Sequence, residues 1–195
     1  MKARIGTLNY DDKRAQGGGH PPVLATRALA PGQGVLPTGL LLAKSATGAV
    51  PYEEIAAEAI AAGTGALKDF AATLAKAPIH PGTVIVTDGV ETLSDDGCGR
   101  LVGSAGGSGT VHYGTGALTV AFAAAPANGA GVTAAYARQI AGVLDEETDT
   151  AVTGSGLVII HGSVRADVLG IGATTKTAPS VATLARLQDA GIYAA

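Results

Sequence analysis

The chain has 195 residues, of which 47% are hydrophobic but only 4% aromatic, so we expect a core built from small side chains. Charge is sparse, and 13 basic against 16 acidic residues give a net charge of −3, which argues against a nucleic-acid binder that neutralises many phosphates. The single cysteine, Cys98, excludes an intramolecular disulfide framework and a cysteine-cluster metal site.

The first 22 residues carry scattered charges and the triplet Gly17-Gly18-Gly19, without apolar periodicity. Such a segment buries too little surface to offset the entropy of ordering it, so we predict an arm that is disordered when alone. Its apolar residues Ile5, Leu8 and Tyr10 would suffice to dock onto another surface; an ordinary frayed terminus fits the same composition. The chain has no run of about 18 apolar residues and no signal-like apolar stretch, so we expect neither a membrane span nor a secretory signal.

Residues 23–30 and 35–44 are strand-like and are separated by the turn Pro31-Gly32-Gln33-Gly34. Residues 53–62, rich in Ala and Glu, have helix propensity, although an extended linker fits equally well. Residues 23–52 are predicted to form a β-ribbon.

Between about residues 64 and 138, short alternating runs recur every ten or so residues and are separated by Gly, Pro, Asn and Asp. This pattern suggests a β-sandwich or a barrel. One residue in two along each run is predicted to face the core. These residues are Val84, Val86, Val111, Tyr113, Leu118, Val120, Phe122, Val132, Ala134 and Tyr136.

The last third begins with an apolar run at 140–144 and an acidic run at 145–149, which we expect to be solvated. The glycine-bounded stretch 156–162 is typical of a central strand. Residues 179–190 have the best helix pattern, with Val181, Leu184 and Leu187 on one apolar stripe and Gly191 at the C′ position.

No pattern predicts a catalytic centre, a metal site or a cofactor. No serine completes a nucleophile elbow, no glycine loop has the spacing of a phosphate loop, and the histidines His20, His80, His112 and His161 form no local metal-ligand pair. Asp88, Asp95 and Asp96 border glycines and offer oxygen ligands for calcium, but hairpin turns explain them better. We therefore expect a protein that is not an enzyme.

Two stretches resemble the lambda-type phage head decoration proteins. The first is LAPGQGVLPTGLLLAK, residues 29–44, followed by Val50-Pro51-Tyr52. The second combines residues 140–144, the run LVIIHGSVRADVL at 157–169, and a terminal helix ending in Ala190-Gly191-Ile192-Tyr193. The stretch between them, with PGTVIVTDG at 81–89 and GTVHYGTGAL at 109–118, resembles the Ig-like β-domains of assorted phage structural proteins.

The resemblance implies a mainly β fold: a β-clip-like decoration domain with a short C-terminal helix, at residues 23–55 and 138–195, and an inserted Ig-like β-sandwich at 56–137. It implies a homotrimer on the outer surface of a phage capsid, made in the host cytoplasm, with the major capsid protein as partner and no nucleic acid or membrane. Residues 1–22, through Ile5, Leu8 and Tyr10, would be the capsid-binding arm.

The resemblance also places trimer or core contacts of the decoration domain at Leu157, Ile159, His161, Arg165 and Asp167. Pairing of an arm with the shell draws affinity from main-chain hydrogen bonds, and many copies on one lattice add avidity. The alternative function is adhesion, in which the inserted domain binds a host glycan or cell surface, although scarce aromatic side chains weigh against sugar stacking.

Overall fold

The computed structural model describes residues 14–172 and 174–195 and is mainly β, with one short helix near the C-terminus. This confirms the expected fold class. The strands are β1 (Val23–Ala28), β2 (Val35–Leu36), β3 (Leu41–Ala43), β4 (Val50–Pro51), β5 (Glu54–Ala62), β6 (Asp69–Thr73), β7 (Ile85–Thr87), β8 (Thr92–Asp95), β9 (Arg100–Gly103), β10 (Ser108–Val111), β11 (Ala117–Ala121), β12 (Gly131–Ala137), β13 (Ile140–Leu144), β14 (Thr148–Asp149), β15 (Ser155–Val164) and β16 (Ile192–Ala194); the helix is α1 (Val181–Asp189).

The first and last parts of the chain build one six-stranded sheet. Its hydrogen-bonded order is β1-β15-β13-β3-β4, and β16 pairs with the end of β15 in parallel. β15 is central, as predicted, because β1 and β13 flank it on either side. The pairing of β13 with β3 is irregular at Gly142, whose φ of 145° favours glycine and where a Cβ would lie 2.5 Å from the Ile159 carbonyl. We call this the composite sheet.

The inner strands of the composite sheet, β3, β13 and β15, are buried on both faces. Neighbouring residues of one strand, such as Val158 and Ile159, belong to two different hydrophobic clusters. Leu41 and Leu42 divide in the same way. Successive side chains of a strand point to opposite faces, so burial on both faces explains why these strands are continuous apolar runs without alternation.

The residues between β4 and β13 form one eight-stranded antiparallel sheet, ordered β5-β12-β7-β8-β9-β10-β11-β6. Its two end strands, β5 and β6, contact each other, so the sheet curls around its own core. Of the sandwich and the barrel expected from the pattern, the strands thus form a barrel-like arrangement. The predicted core faces are confirmed: all ten residues are buried or pack against the core cluster. We call this the inserted sheet.

Two elements of the inserted sheet differ from the sequence-based expectation. Residues 54–62 are neither helix nor linker but strand β5, because pairing with β12 along the whole segment outweighs the weak helix propensity of Ala and Glu. Strand β8 was not predicted, because Leu93 is its only apolar residue. Leu93 is nevertheless fully buried.

Helix α1 lies within the predicted range, with corrected boundaries. Ser180 caps its N-terminus by accepting a 3.1 Å hydrogen bond from the Thr183 N–H, and Gly191 has the positive φ of a C′ glycine. Val181 was expected on the apolar stripe but is 86% exposed. Thr183 and Leu187 are the buried residues of the helix, and Leu184 packs partly buried against the core of the composite sheet.

Candidate binding surfaces

The first described residues lie along the end of β15. Residues 14–20 form what we call the docking segment: the Gly17 N–H donates to the Ser163 carbonyl and the Arg165 N–H donates to the Ala15 carbonyl, each at 2.9 Å. Ala15 is fully buried. The arm expected over residues 1–22 therefore has a C-terminal part that packs on the composite sheet, because β15 offers this stretch backbone partners. Ile5, Leu8 and Tyr10 lie outside the described residues.

Asp145 anchors the docking segment and is buried, which corrects the expectation that the acidic run is solvated. Its side chain is 0% exposed and accepts a 2.7 Å hydrogen bond from Gln16 Nε2, while its carbonyl accepts from the Ala15 N–H. The second carboxylate oxygen has no hydrogen-bond partner among the described residues. Glu146 and Glu147 are exposed as expected. Asp145 differs because it directly follows β13 and is covered by the docking segment.

The residues expected at trimer or core contacts lie in different environments. Ile159 is fully buried within the composite sheet, and Leu157 is half-buried on the same strand. The His161 side chain is exposed, and its ring lies 5.2 Å from that of His20, edge to face. His161 lies within β15, three residues before its end.

Arg165 and Asp167 follow β15 and pair with each other. Arg165 donates to both carboxylate oxygens of Asp167, with the shorter bond at 2.7 Å. This hydrogen bonding to Arg165 holds the pKa of Asp167 below its usual value. The pair stiffens the turn that leaves β15 next to the docking segment.

The aspartates considered for calcium serve as acceptors in the turns of the inserted sheet. Asp88 accepts from the Val90 and Glu91 N–H groups, and Asp96 accepts from the Cys98 N–H. Asp95 accepts from the Gly82 N–H at 2.7 Å and from the Tyr113 hydroxyl at 2.6 Å. Burial and the neighbouring Asp95 raise the pKa of Tyr113 to about 12. Within residues 14–172 and 174–195, no three potential metal-ligating side chains come together.

The two sheets meet at a polar junction. Arg138, which is 6% exposed, forms a 3.1 Å ion pair with Glu53 and donates to the Lys44 carbonyl at 3.0 Å. Lys76 contacts the same Glu53 carboxylate at 3.2 Å. Arg138 thereby joins the end of β12 to the loop after β3.

Helix α1 is attached to the same junction through Glu54. One oxygen of Glu54 accepts hydrogen bonds from the Tyr52 hydroxyl, the Thr183 hydroxyl and the Arg186 guanidinium. Burial opposes ionisation of Glu54, but these donors and the charge of Arg186 together lower its pKa. No local sequence signal indicates this cluster, since its members lie up to 134 positions apart.

A groove of about 630 Å³ crosses the outer face of strands β6, β11, β10 and β9. Asp69 and Arg100 line it, and the hydroxyl groups of Thr110 and Thr119 lie between them, 2.7 Å apart. Gly109 lies opposite the core residues Leu101 and Val120, and a Cβ there would meet the Thr119 carbonyl at 2.4 Å, so the close packing beneath the groove requires glycine. The groove therefore combines hydroxyl groups with one carboxylate and one guanidinium.

Comparison with known proteins identifies no relative. No family model matches the chain, and neither a curated protein nor a solved structure matches it. Among the described residues, no helix is both long and apolar enough to cross a bilayer.

Proposed function

We propose that the chain is a non-enzymatic decoration protein of a phage head, which binds the major capsid protein lattice as a homotrimer and stabilises the expanded shell. One observation carries the proposal. The two sequence stretches that resemble lambda-type decoration proteins pair with each other, because β3 of the first pairs with β13 of the second. β1, which directly precedes the first stretch, pairs with β15 of the second. A single unit built from both ends of the chain is what such a protein requires.

The position of the inserted sheet also supports the proposal. Its first strand, β5, pairs with its last strand, β12, and Glu54 lies opposite Ala137. The inserted sheet therefore leaves the composite sheet and returns to it at one place. Domains carried in this way are tolerated on exposed loops and leave the host unit intact. In a capsid protein, this arrangement allows the composite sheet to face the shell and the inserted sheet to face outward.

The test is the addition of purified chain to expanded capsids of the phage that encodes it, after removal of the native protein. We expect binding and a higher melting temperature of the shell. A truncation that removes residues 1–13 keeps the docking segment, so we expect it to retain the oligomeric mass of the full chain and to lose shell binding. Substitution of Ile5, Leu8 and Tyr10 by Ser, without truncation, should give the same loss.

The outcomes separate the two parts of the proposal. Binding by the truncated chain at full strength would overturn the role of the arm. Failure of the full chain to bind any capsid of its phage would overturn the decoration function itself.

The groove on the inserted sheet favours a second candidate function, adhesion to a host glycan. Hydroxyl groups flanked by a carboxylate and a guanidinium match the hydrogen-bonding groups of a saccharide. A glycan array probed with the full chain tests this candidate, with Asp69→Ala and Thr119→Val as groove variants and Asp149→Ala as a control outside the inserted sheet. Equal signals for all three variants would contradict it.

A further inference from the structure

A second concave site lies at the junction of the two sheets. It is a cleft of about 430 Å³, lined by Arg27 of β1, Lys44 after β3, His80 of the inserted sheet and Asp189 at the end of α1. Apolar residues of the composite sheet, including Ile140 and Ile160, form other parts of its wall. Side chains distant in sequence thus converge on one space that can hold a small group.

The cations of the cleft stand out because they lack partners. In residues 14–172 and 174–195, most lysine and arginine side chains hold a carboxylate or a backbone carbonyl: Lys68, Lys76, Arg138, Arg165, Lys176 and Arg186. The side chains of Arg27 and Lys44 form no hydrogen bond or ion pair in that part of the chain, and both line this one cleft. Two unpaired cations beside one space favour an anionic occupant.

The charge balance selects the kind of anion. Arg27 and Lys44 contribute two positive charges and Asp189 contributes one negative charge, so the cleft carries +1 when His80 is neutral. Burial and the nearby charge of Arg186 lower the pKa of His80, although Asp189 acts in the opposite direction. Asp189 and Ala190 at the C-terminal end of α1 line the cleft, and the negative end of the helix dipole disfavours a doubly charged ligand more than a singly charged one. A single negative charge fits this balance better than a phosphate dianion.

We propose that this cleft is a binding site for one carboxylate group, neutralised by Arg27 and Lys44 and supplied by an acidic side chain of a partner protein. The site does not depend on the proposed function, because its test needs only the isolated chain. Carboxylate in the cleft adds a negative charge near His80, and the pKa of His80 then rises toward that of a free imidazole. Binding can therefore be followed at a group that belongs to the site.

The experiment titrates the full chain with three probes at constant ionic strength: acetate, a blocked glutamate peptide and inorganic phosphate. NMR records the pH midpoint of the His80 ring and the chemical shift of the Arg27 side chain. We expect both carboxylate probes to shift these signals, the peptide at lower concentration than acetate. The same peptide with Gln in place of Glu should have no effect.

Variants identify the binding residues. Arg27→Gln and Lys44→Gln should each weaken peptide binding about tenfold, since each removes one charged contact. Asp189→Asn should strengthen binding. The matched control is Arg100→Gln, because the Arg100 side chain also forms no hydrogen bond or ion pair within the described residues but lines the groove on the inserted sheet.

Each alternative result overturns a stated part of the proposal. Equal weakening by Arg100→Gln, or an unchanged His80 midpoint, would show that the cleft is not the site. Tighter binding of phosphate than of the peptide would overturn the carboxylate assignment. Binding of acetate without binding of the peptide would exclude a protein side chain as the source. Because Arg27 and Lys44 are exposed, the melting temperature of each variant should equal that of the unsubstituted chain.

Discussion

Glu91 illustrates how one side chain can organise a turn of the inserted sheet. Its carboxylate is 3% exposed and accepts hydrogen bonds from three backbone N–H groups, those of Ala105, Gly107 and Ala123, at 3.2, 2.7 and 2.7 Å. Burial by itself would raise the pKa of Glu91, but the three N–H donors stabilise the charged form more strongly, so the pKa is lowered. Sequence patterns gave no sign of this role, because the donors lie up to 32 positions away.

We expect Glu91→Gln to lower the free energy of unfolding by about 1–3 kcal/mol at pH 7, because an amide satisfies the three donors less well than a carboxylate. A lowered folded-state pKa contributes stability above the unfolded-state value of 4.5, and this contribution is lost as pH falls through the folded-state pKa. The difference between the two proteins should therefore shrink below about pH 4.5.

Urea unfolding of both proteins between pH 7 and pH 3 measures this difference. Glu147→Gln is the control, since Glu147 is exposed and should show little change. A difference that stays constant down to pH 3 would contradict the ionised state of Glu91.

Gln16 should matter far more than its exposed neighbours in the docking segment. Gln16→Ala removes the amide that donates a 2.7 Å hydrogen bond to Asp145 Oδ2. The fully buried Asp145 carboxylate is then left without this bond. We expect a loss of about 1–3 kcal/mol and faster hydrogen exchange at the Ala15 amide, which is bound to the Asp145 carbonyl. Gln188→Ala, on the exposed side of α1, should leave that amide protected; equal exchange in both variants would exclude the anchoring role.

At the scale of elements, α1 depends on tertiary contacts. The helix has nine residues, which is too short for stability in isolation, and its core-facing side consists of Thr183, Leu187 and the partly buried Leu184. Glu54 stabilises the helix further, because its carboxylate accepts hydrogen bonds from both Thr183 and Arg186. Formation of α1 therefore depends on its contacts with Glu54, the first residue of β5.

We expect Glu54→Gln to loosen α1 and to speed hydrogen exchange at the Leu184 and Leu187 amides up to about tenfold, because it replaces charge-assisted hydrogen bonds by neutral ones. Residue-resolved exchange by NMR measures the effect. Glu58→Gln is the matched control, because Glu58 accepts from Tyr136 on the inserted sheet and not from the helix. Equal changes in hydrogen exchange at the α1 amides in both variants would contradict the stabilisation of α1 by Glu54.

At the scale of the whole molecule, Arg138 couples the two sheets. It is buried at the junction, pairs with Glu53 and binds the Lys44 carbonyl, while its Nε has no hydrogen-bond partner in the described part of the chain. Arg138→Ala removes both contacts, and we expect a loss of about 1–3 kcal/mol. Calorimetry should then resolve two unfolding transitions in place of one, because each sheet has its own core cluster. Lys76→Ala is the control. It removes only the half-exposed ion pair between Lys76 and Glu53, so we expect a single unfolding transition.

The sequence alone determined the features that depend on local pattern. Alternation in the inserted sheet identified its core-facing residues, the glycine-bounded apolar run identified β15 as central, and Gly191 marked the end of the last helix. These signals are local because side-chain direction along a strand and the φ of a terminal glycine depend on a few neighbouring residues. The mainly β fold class followed from their sum.

Only the tertiary structure decided features whose partners lie far apart in the chain. Residues 54–62 became strand β5 because β12 pairs with them, Asp145 became buried because the docking segment covers it, and Arg27 and Lys44 came to line one cleft because two sheets and a helix meet there. Each outcome depends on pairing or burial between distant segments, which changes the environment of a residue without leaving any trace in its immediate sequence.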